Sequence, residues 1–109
     1  MTVRDLPALI EGNVAVQGDD SRQVTGVYCC DMLSHVMGRA PADSAWVTVM
    51  GGVNAIAVSA LADTACIIIA EGLDVDADAA EKAAEQGISV LRTPLPISEA
   101  AKRIDKALT

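Results

Sequence analysis

The spacing of apolar and polar positions changes period several times along the 109 residues, and it is clearest between Trp46 and Ala70. Trp46, Val47, Val49 and Met50 make a short run of large apolar and β-favouring side chains, which predicts a strand. Gly51-Gly52 ends the run and permits backbone angles closed to other residues. Asn54 is placed to cap a helix, and Ala55 to Ala62 contains no breaker and is apolar nearly all round. Such a helix is expected to be buried on most sides. After Asp63, Ala65 to Ala70 is an unbroken apolar run with three consecutive isoleucines. It predicts a strand covered on both faces, as in a parallel sheet. The stretch is a complete βαβ unit.

The same alternation extends in both directions. Thr2 to Ile10 reads as a short helix with Leu6, Leu9 and Ile10 inward, and Pro7 is tolerated if Asp5 caps a late start. Asn13 to Gln17 and Gln23 to Cys30 read as strands, separated by a Gly18-Asp19-Asp20-Ser21 turn, with Gly26 a candidate bulge. Asp31 is the expected cap of a helix ending near Met37, with Gly38 as its stop. Asp76 or Asp78 opens an alanine-rich helix that stops at Gly87, and Asp78 with Glu81 resembles a capping box. Ile88 to Leu91 is a further strand, and Pro94-Leu95-Pro96 enforces an extended link. Ser98 is the expected cap of a last helix, whose apolar positions 97, 100, 101, 104, 107 and 108 keep helical spacing. Alternating strands and helices predict the α/β class: a three-layer α/β/α arrangement around a mostly parallel sheet of about five strands. The default ligand site is then the carboxyl edge of that sheet, at Cys30-Asp31, Met50 to Asn54, Glu71-Gly72 and Arg92-Thr93.

Composition narrows the function. The length fits one domain, 1–109. No Phe, one Trp and one Tyr leave the core to Ala, Val, Ile, Leu and Met. A formal charge of −7 disfavours a nucleic-acid partner, since phosphate contacts need Lys and Arg. No apolar run approaches the roughly 20 residues that span a bilayer, and the first residues lack a signal-peptide pattern. No membrane partner is expected, and a cytoplasmic location is.

Three segments taken together resemble the DRTGG domain family: VTGVYCCDMLSHVMG at 24–38, WVTVMGGVNAIAVSALAD at 46–63, and IIIAEG followed by an acidic-capped helix and GISVLRTP. The resemblance covers almost the whole chain. The family occurs in some phosphotransacetylases, in CBS-containing inorganic pyrophosphatases and as stand-alone proteins, and is related to the N-terminal domain of HPr kinase. The resemblance implies an α/β/α fold, homodimerisation and a regulatory, ligand-sensing role with no catalytic domain. Asp31, Ser34 and Gly38 fit its first motif, whereas Cys29 and Cys30 look local to this chain. The Asp-Arg pair that names many members is replaced at Gly51-Gly52. No Walker A signature occurs, and no cofactor is expected.

Candidate sites follow. Gly51, Gly52 and Asn54 are placed to receive an anion at a helix N-terminus, with a plain turn and cap as the alternative. Asp31, Ser34 and Glu71 are candidate polar contacts, and Arg92 is the one cation near the strand ends. Cys29 and Cys30 lie beside a helix N-terminus, but adjacent cysteines do not form a C-x-x-C pair, and a core role fits them better. His35 and three scattered cysteines have no zinc spacing. Asp74, Asp76, Asp78 and Glu85 imitate a calcium loop, but Ala79 stands where that loop needs Gly. Neither metal nor catalytic residue is assigned. Trp46 is expected at an interface or over the sheet edge.

Three functions compete. The first is a non-catalytic regulatory module that senses a small anionic ligand, such as a nucleotide, and signals through a homodimer or partner interface. The second is an adaptor without a ligand, which requires a filled strand-end crevice and an apolar surface patch. The third is a small thiol enzyme using Cys29 or Cys30, which requires an exposed thiolate of lowered pKa.

Overall fold

The computed structural model describes every residue from Met1 to Thr109. After a 3-10 turn at Val3–Asp5 come α1 (Leu6–Leu9), β1 (Asn13–Val16), β2 (Gly26–Cys29) and α2 (Leu33–Arg39). The chain continues through β3 (Ser44–Thr48), α3 (Val53–Ala62), β4 (Cys66–Ile69), α4 (Ala77–Gln86), β5 (Val90–Arg92) and α5 (Ile97–Leu108). The strands form one sheet in the order β1-β5-β4-β3-β2. β2 to β5 are mutually parallel, and β1 joins antiparallel to β5. The Ile strand, β4, is central and buried throughout, as its lack of alternation predicts.

Two cores sandwich the sheet. Cys66 and Ile68 join one, with Leu6 and Ile10 from the N-terminal segment and Ala100 and Ile104 from α5. Ile67 and Ile69 join the other, with Val36 of α2, Ile56 of α3, and Ala79 and Ala83 of α4. The period of two along a strand makes this division. Each fully buried isoleucine contributes about 1.5–3 kcal/mol to it. Alanines at the helix contacts let α3 and α4 lie close to the sheet.

Several local expectations are corrected. Met32, not Asp31, occupies the cap of α2, and the helix runs through Gly38 to Arg39. Gly52, not Asn54, caps α3, so Asn54 lies in the first turn, exposed. Pro96 precedes α5, and Ser98 sits inside it. Asp76 is the cap position of α4, with no side-chain capping bond there and hence no Asp78–Glu81 box. Gly26 pairs regularly with Ser44 and forms no bulge. Trp46 is at neither a sheet edge nor an interface: it is fully buried under the helices, and its Nε1 donates to the Cys30 carbonyl at 2.9 Å.

α3 departs furthest from expectation. Ala55, Ile56, Val58 and Ser59 are buried, whereas Val53, Ala57, Ala60 and Leu61 face outward, with Leu61 72% exposed. Flanking helices and the sheet cover one side only, so a helix apolar all round leaves an apolar stripe in solvent. No helix is long and apolar enough to cross a membrane.

Candidate functional site

β2 to β5 run parallel, so their carboxyl ends share one edge, where the antiparallel β1 begins. At the β4–β5 end of that edge is a cavity of about 320 Å³, lined in part by Glu11, Asn13, Gly72, Asp74, Arg92 and Thr93. Arg92 closes β5 and is the only cation in the lining. Its Nε donates to Asn13 Oδ1 at 3.1 Å, which ties it to the start of β1. Its Nη1 donates to Asp74 Oδ2 at 2.6 Å. The acid Glu11 is not free either, since it accepts from Arg103 Nη1 of α5 at 2.8 Å. The two cavity acids are each matched by a guanidinium, so the cavity presents little net negative field despite the chain's overall charge.

Glu71 stands near this edge but does not line the cavity. It holds a left-handed backbone conformation, φ 63°, and its Oε2 accepts from the Ile97 backbone N–H at 3.0 Å. This remote carboxylate caps α5, satisfying one of the donors a helix leaves open at its start. Thr93, buried alongside, donates to the Ile10 carbonyl at 2.6 Å and locks the β5 end to α1.

The Gly51-Gly52 turn is built differently from an anion cradle. Neither glycine has positive φ. Gly51 is required because a Cβ there would collide with the Asp74 carbonyl, and the Asp76 N–H donates to the Gly51 carbonyl at 2.8 Å. The loop from Asp74 to Asp76 thus lies against the turn. The Asp76 carboxylate lies 3.8 Å from the position of a Cβ on Gly52. An anion at the start of α3 would meet that like charge. Neither Gly51 nor Gly52 lines the Arg92 cavity.

Asp31 serves β3. Its Oδ1 accepts from Thr48 Oγ1 at 2.7 Å and from the Val49 N–H at 3.1 Å. Ser34 is exposed on α2. His35 is also exposed, with Nδ1 2.8 Å from the Met32 sulfur, and no cluster of three or more His, Cys, Asp or Glu side chains is arranged to hold a metal ion.

Cys29 and Cys66 do not match activated thiols. Burial, with the Asp31 charge behind it, raises the Cys29 pKa above its ordinary value. Cys66 lies fully in the core and is pushed up to about 12 by burial. A nucleophilic site needs the opposite direction of shift.

Sequence inspection missed a second feature at the opposite edge of the sheet. Arg22 reaches Asp43 Oδ1 through Nε at 3.1 Å and Nη2 at 2.8 Å, and Nη2 also donates to the Asp63 carbonyl at 2.6 Å. Burial works against the Arg22 charge, but the hydrogen bonds it donates to Asp43 and Asp63 outweigh it and its pKa is raised. Asp43 and Asp63 both have left-handed backbones, φ 64° and 60°. Arg22 and Asp63 line a cavity of about 230 Å³. With two acids satisfying its only arginine, this cavity has the electrostatics of a structural clamp. No sequence spacing marks it, because the three residues come from three separate loops.

The DRTGG domain model matches residues 5–107. The chain belongs to the DRTGG domain family. No curated protein matches it. Its fold is similar to a solved structure described as the CBS and DRTGG domains of the regulatory region of Clostridium perfringens pyrophosphatase, complexed with the activator diadenosine tetraphosphate. The match has a TM-score of 0.68 at 13% identity and covers 91% of this chain. It covers 44% of that chain, so this DRTGG domain spans less than half of that regulatory region. At such identity the likeness is one of fold.

Proposed function

We propose that this DRTGG domain is a non-catalytic regulatory module that takes a small anionic ligand, of nucleotide type, at the Arg92 cavity and signals through a homodimer or a partner protein. The observation that carries it is the cavity at the carboxyl ends of β4 and β5 with Arg92 as its one cation. Parallel α/β sheets offer ligands this edge. Family membership supports the regulatory role, and the nucleotide-activated regulatory region of similar fold supports the ligand class. Of the earlier candidates, Arg92 stays central. Gly51, Gly52 and Asp31 act as scaffold, Glu71 as a helix cap, and Asn54 and Ser34 as exposed surface.

A titration of the purified chain with ADP, diadenosine tetraphosphate and pyrophosphate by calorimetry tests this. Saturable binding that Arg92→Ala abolishes is expected, and ligand at about a hundred times its Kd should add about 2.7 kcal/mol of stability. Binding untouched by Arg92→Ala would overturn the site.

The adaptor function has one observation in its favour. Leu61 of α3, Met37 of the adjacent α2 and Met32 at the cap of α2 are 72%, 50% and 55% exposed, and large exposed apolar surface marks interaction sites. The same patch serves as the signalling interface of the regulatory module. Light scattering of the wild type and Leu61→Glu decides whether a second copy covers it: a dimer that becomes a monomer assigns the patch to self-association.

A further inference from the structure

Arg92 does not wait in the cavity with an empty fork. One arm holds Asn13 and the other holds the carboxylate of Asp74. Two side-chain bonds leave three of the five guanidinium N–H groups for another partner. The pair is accessible, with side chains 37% and 58% exposed for Arg92 and Asp74. An exposed ion pair of this kind is weak and readily exchanged.

We propose that Asp74 is an internal stand-in for the ligand's anionic group, and that a phosphate-bearing ligand acts by displacing it from Arg92. This rests on the cavity assignment above and adds to it the chemistry of the ligand group and the way its arrival is transmitted. A phosphate presents pairs of oxygens that the planar guanidinium fork grips with two parallel bonds. A carboxylate on a loop occupies part of the same fork.

Displacement has a defined structural consequence. Asp74 is pinned from both sides: its carboxylate by Arg92, and its carbonyl by the close approach of Gly51. Two residues later, the Asp76 N–H bonds the Gly51 carbonyl, and Asp76 is the cap position of α4. The loop therefore bridges the cavity to the starts of both α3 and α4. Releasing the Asp74 carboxylate removes one of its two anchors. The remaining anchor lies at the turn that opens α3, the helix whose outer stripe of Val53, Ala57, Ala60 and Leu61 is exposed. Ligand occupancy at Arg92 is thereby linked to the position of the apolar surface.

Asp74→Asn tests the displacement. Asparagine keeps a side-chain oxygen for the Val75 N–H, which now donates to Asp74 Oδ1 at 2.7 Å, and loses the charge that competes for Arg92. Pyrophosphate and ADP should bind this variant about five-fold more tightly than the wild type, equivalent to about 1 kcal/mol. Glu11→Gln removes the same unit charge from the same cavity without freeing Arg92, and should change affinity less than two-fold by this argument. Equal gains in the two variants would reduce the effect to general electrostatics and overturn the proposal. So would unchanged or weaker binding by Asp74→Asn, while leaving the Arg92 site itself intact. Absence of binding by either protein, for both probes, would overturn site and stand-in together. A ligand-free measurement addresses the loop alone. In Arg92→Ala the amide of Asp76 should exchange with deuterium at least ten-fold faster than in the wild type, and unchanged exchange would overturn the coupling whether or not the cavity binds anions.

Discussion

Gly51→Ala separates a close backbone approach from an anion cradle. Gly51 has no positive φ, so alanine meets no conformational penalty there, and any cost comes from space. The added Cβ would collide with the Asp74 carbonyl and lie 3.0 Å from the Val75 Cα. Both obstacles are backbone, and the bond from the Asp76 N–H to the Gly51 carbonyl holds the same segment at 2.8 Å. The loop cannot step aside as a side chain would. Overpacking of this kind costs about 1–3 kcal/mol, and a stiffer unfolded chain returns about 0.4–1 kcal/mol. The expected net loss is about 1–2 kcal/mol, or about 4–16 °C in Tm for a domain of this size. Gly52→Ala is the internal control. Its Cβ would meet nothing nearer than Asp76 Oδ2 at 3.8 Å, and its extended backbone, φ −89° and ψ 167°, admits alanine. Alanine's poorer capping and the stiffer unfolded chain act in opposite directions, leaving a change within about 0.5 kcal/mol. Urea denaturation read by Trp46 fluorescence measures both variants, since this sole tryptophan is fully buried. Equal destabilisation by the two substitutions would refute the collision argument. Loss of anion affinity in Gly51→Ala at unchanged stability would restore the cradle.

Arg22→Ala removes the links from Asp43 and Asp63 and leaves two left-handed loops without their clamp. Charged hydrogen bonds contribute about 1.5–3 kcal/mol each when buried. The side chain is 27% exposed, so about 1–2 kcal/mol in total is expected from urea midpoints, and a loss below about 0.5 kcal/mol would rule out the clamp. Asp20, whose pKa is lowered chiefly by its hydrogen bond from Arg4, contributes stability that is present above the ordinary carboxylate range and lost as pH falls through its folded value. Asp20→Asn should therefore flatten the acid side of the stability curve below about pH 4, and an unchanged acid limb would contradict it. Cys66 acts at the other end of the scale. Its thiol ionises at about 12 in the folded chain against 9.0 ordinarily, so its contribution is complete below pH 9.0 and falls away up to about pH 12. Cys66→Ala should reduce the alkaline slope of stability by about 1.4 kcal/mol per pH unit in that window, and thiol titration of the native wild type should leave Cys66 unreacted.

The layered α/β architecture and the order of its elements are legible in the chain alone. The isoleucine run favours a strand covered on both faces over a short buried helix, and helical spacing marks positions 97, 100, 101, 104, 107 and 108 as the inner side of α5, of which Ala100 and Ile104 are buried and Ala107 is exposed. The sequence also identified the family, because three separated segments match together. These features are local or periodic, and period and propensity are written along the chain. The structure decided what depends on neighbours distant in sequence. Asp31 reads as a helix cap but bonds to Thr48 and Val49, and Glu71 reads as a turn acid but caps α5 across 26 positions. The glycine pair reads as either an anion cradle or a plain turn and cap, and Gly51 proves to be a close packing contact with a loop more than twenty residues on. Arg92 was legible as the cation near the strand ends, because parallel strands bring their carboxyl ends to one edge. Its partners were not: Asn13 and Asp74 meet it only because β1 turns back antiparallel against β5 and the loop after β4 folds over the edge. A side chain's role at such an edge is set by which carboxylates and carbonyls the fold brings within hydrogen-bonding distance, and that information exists only in three dimensions.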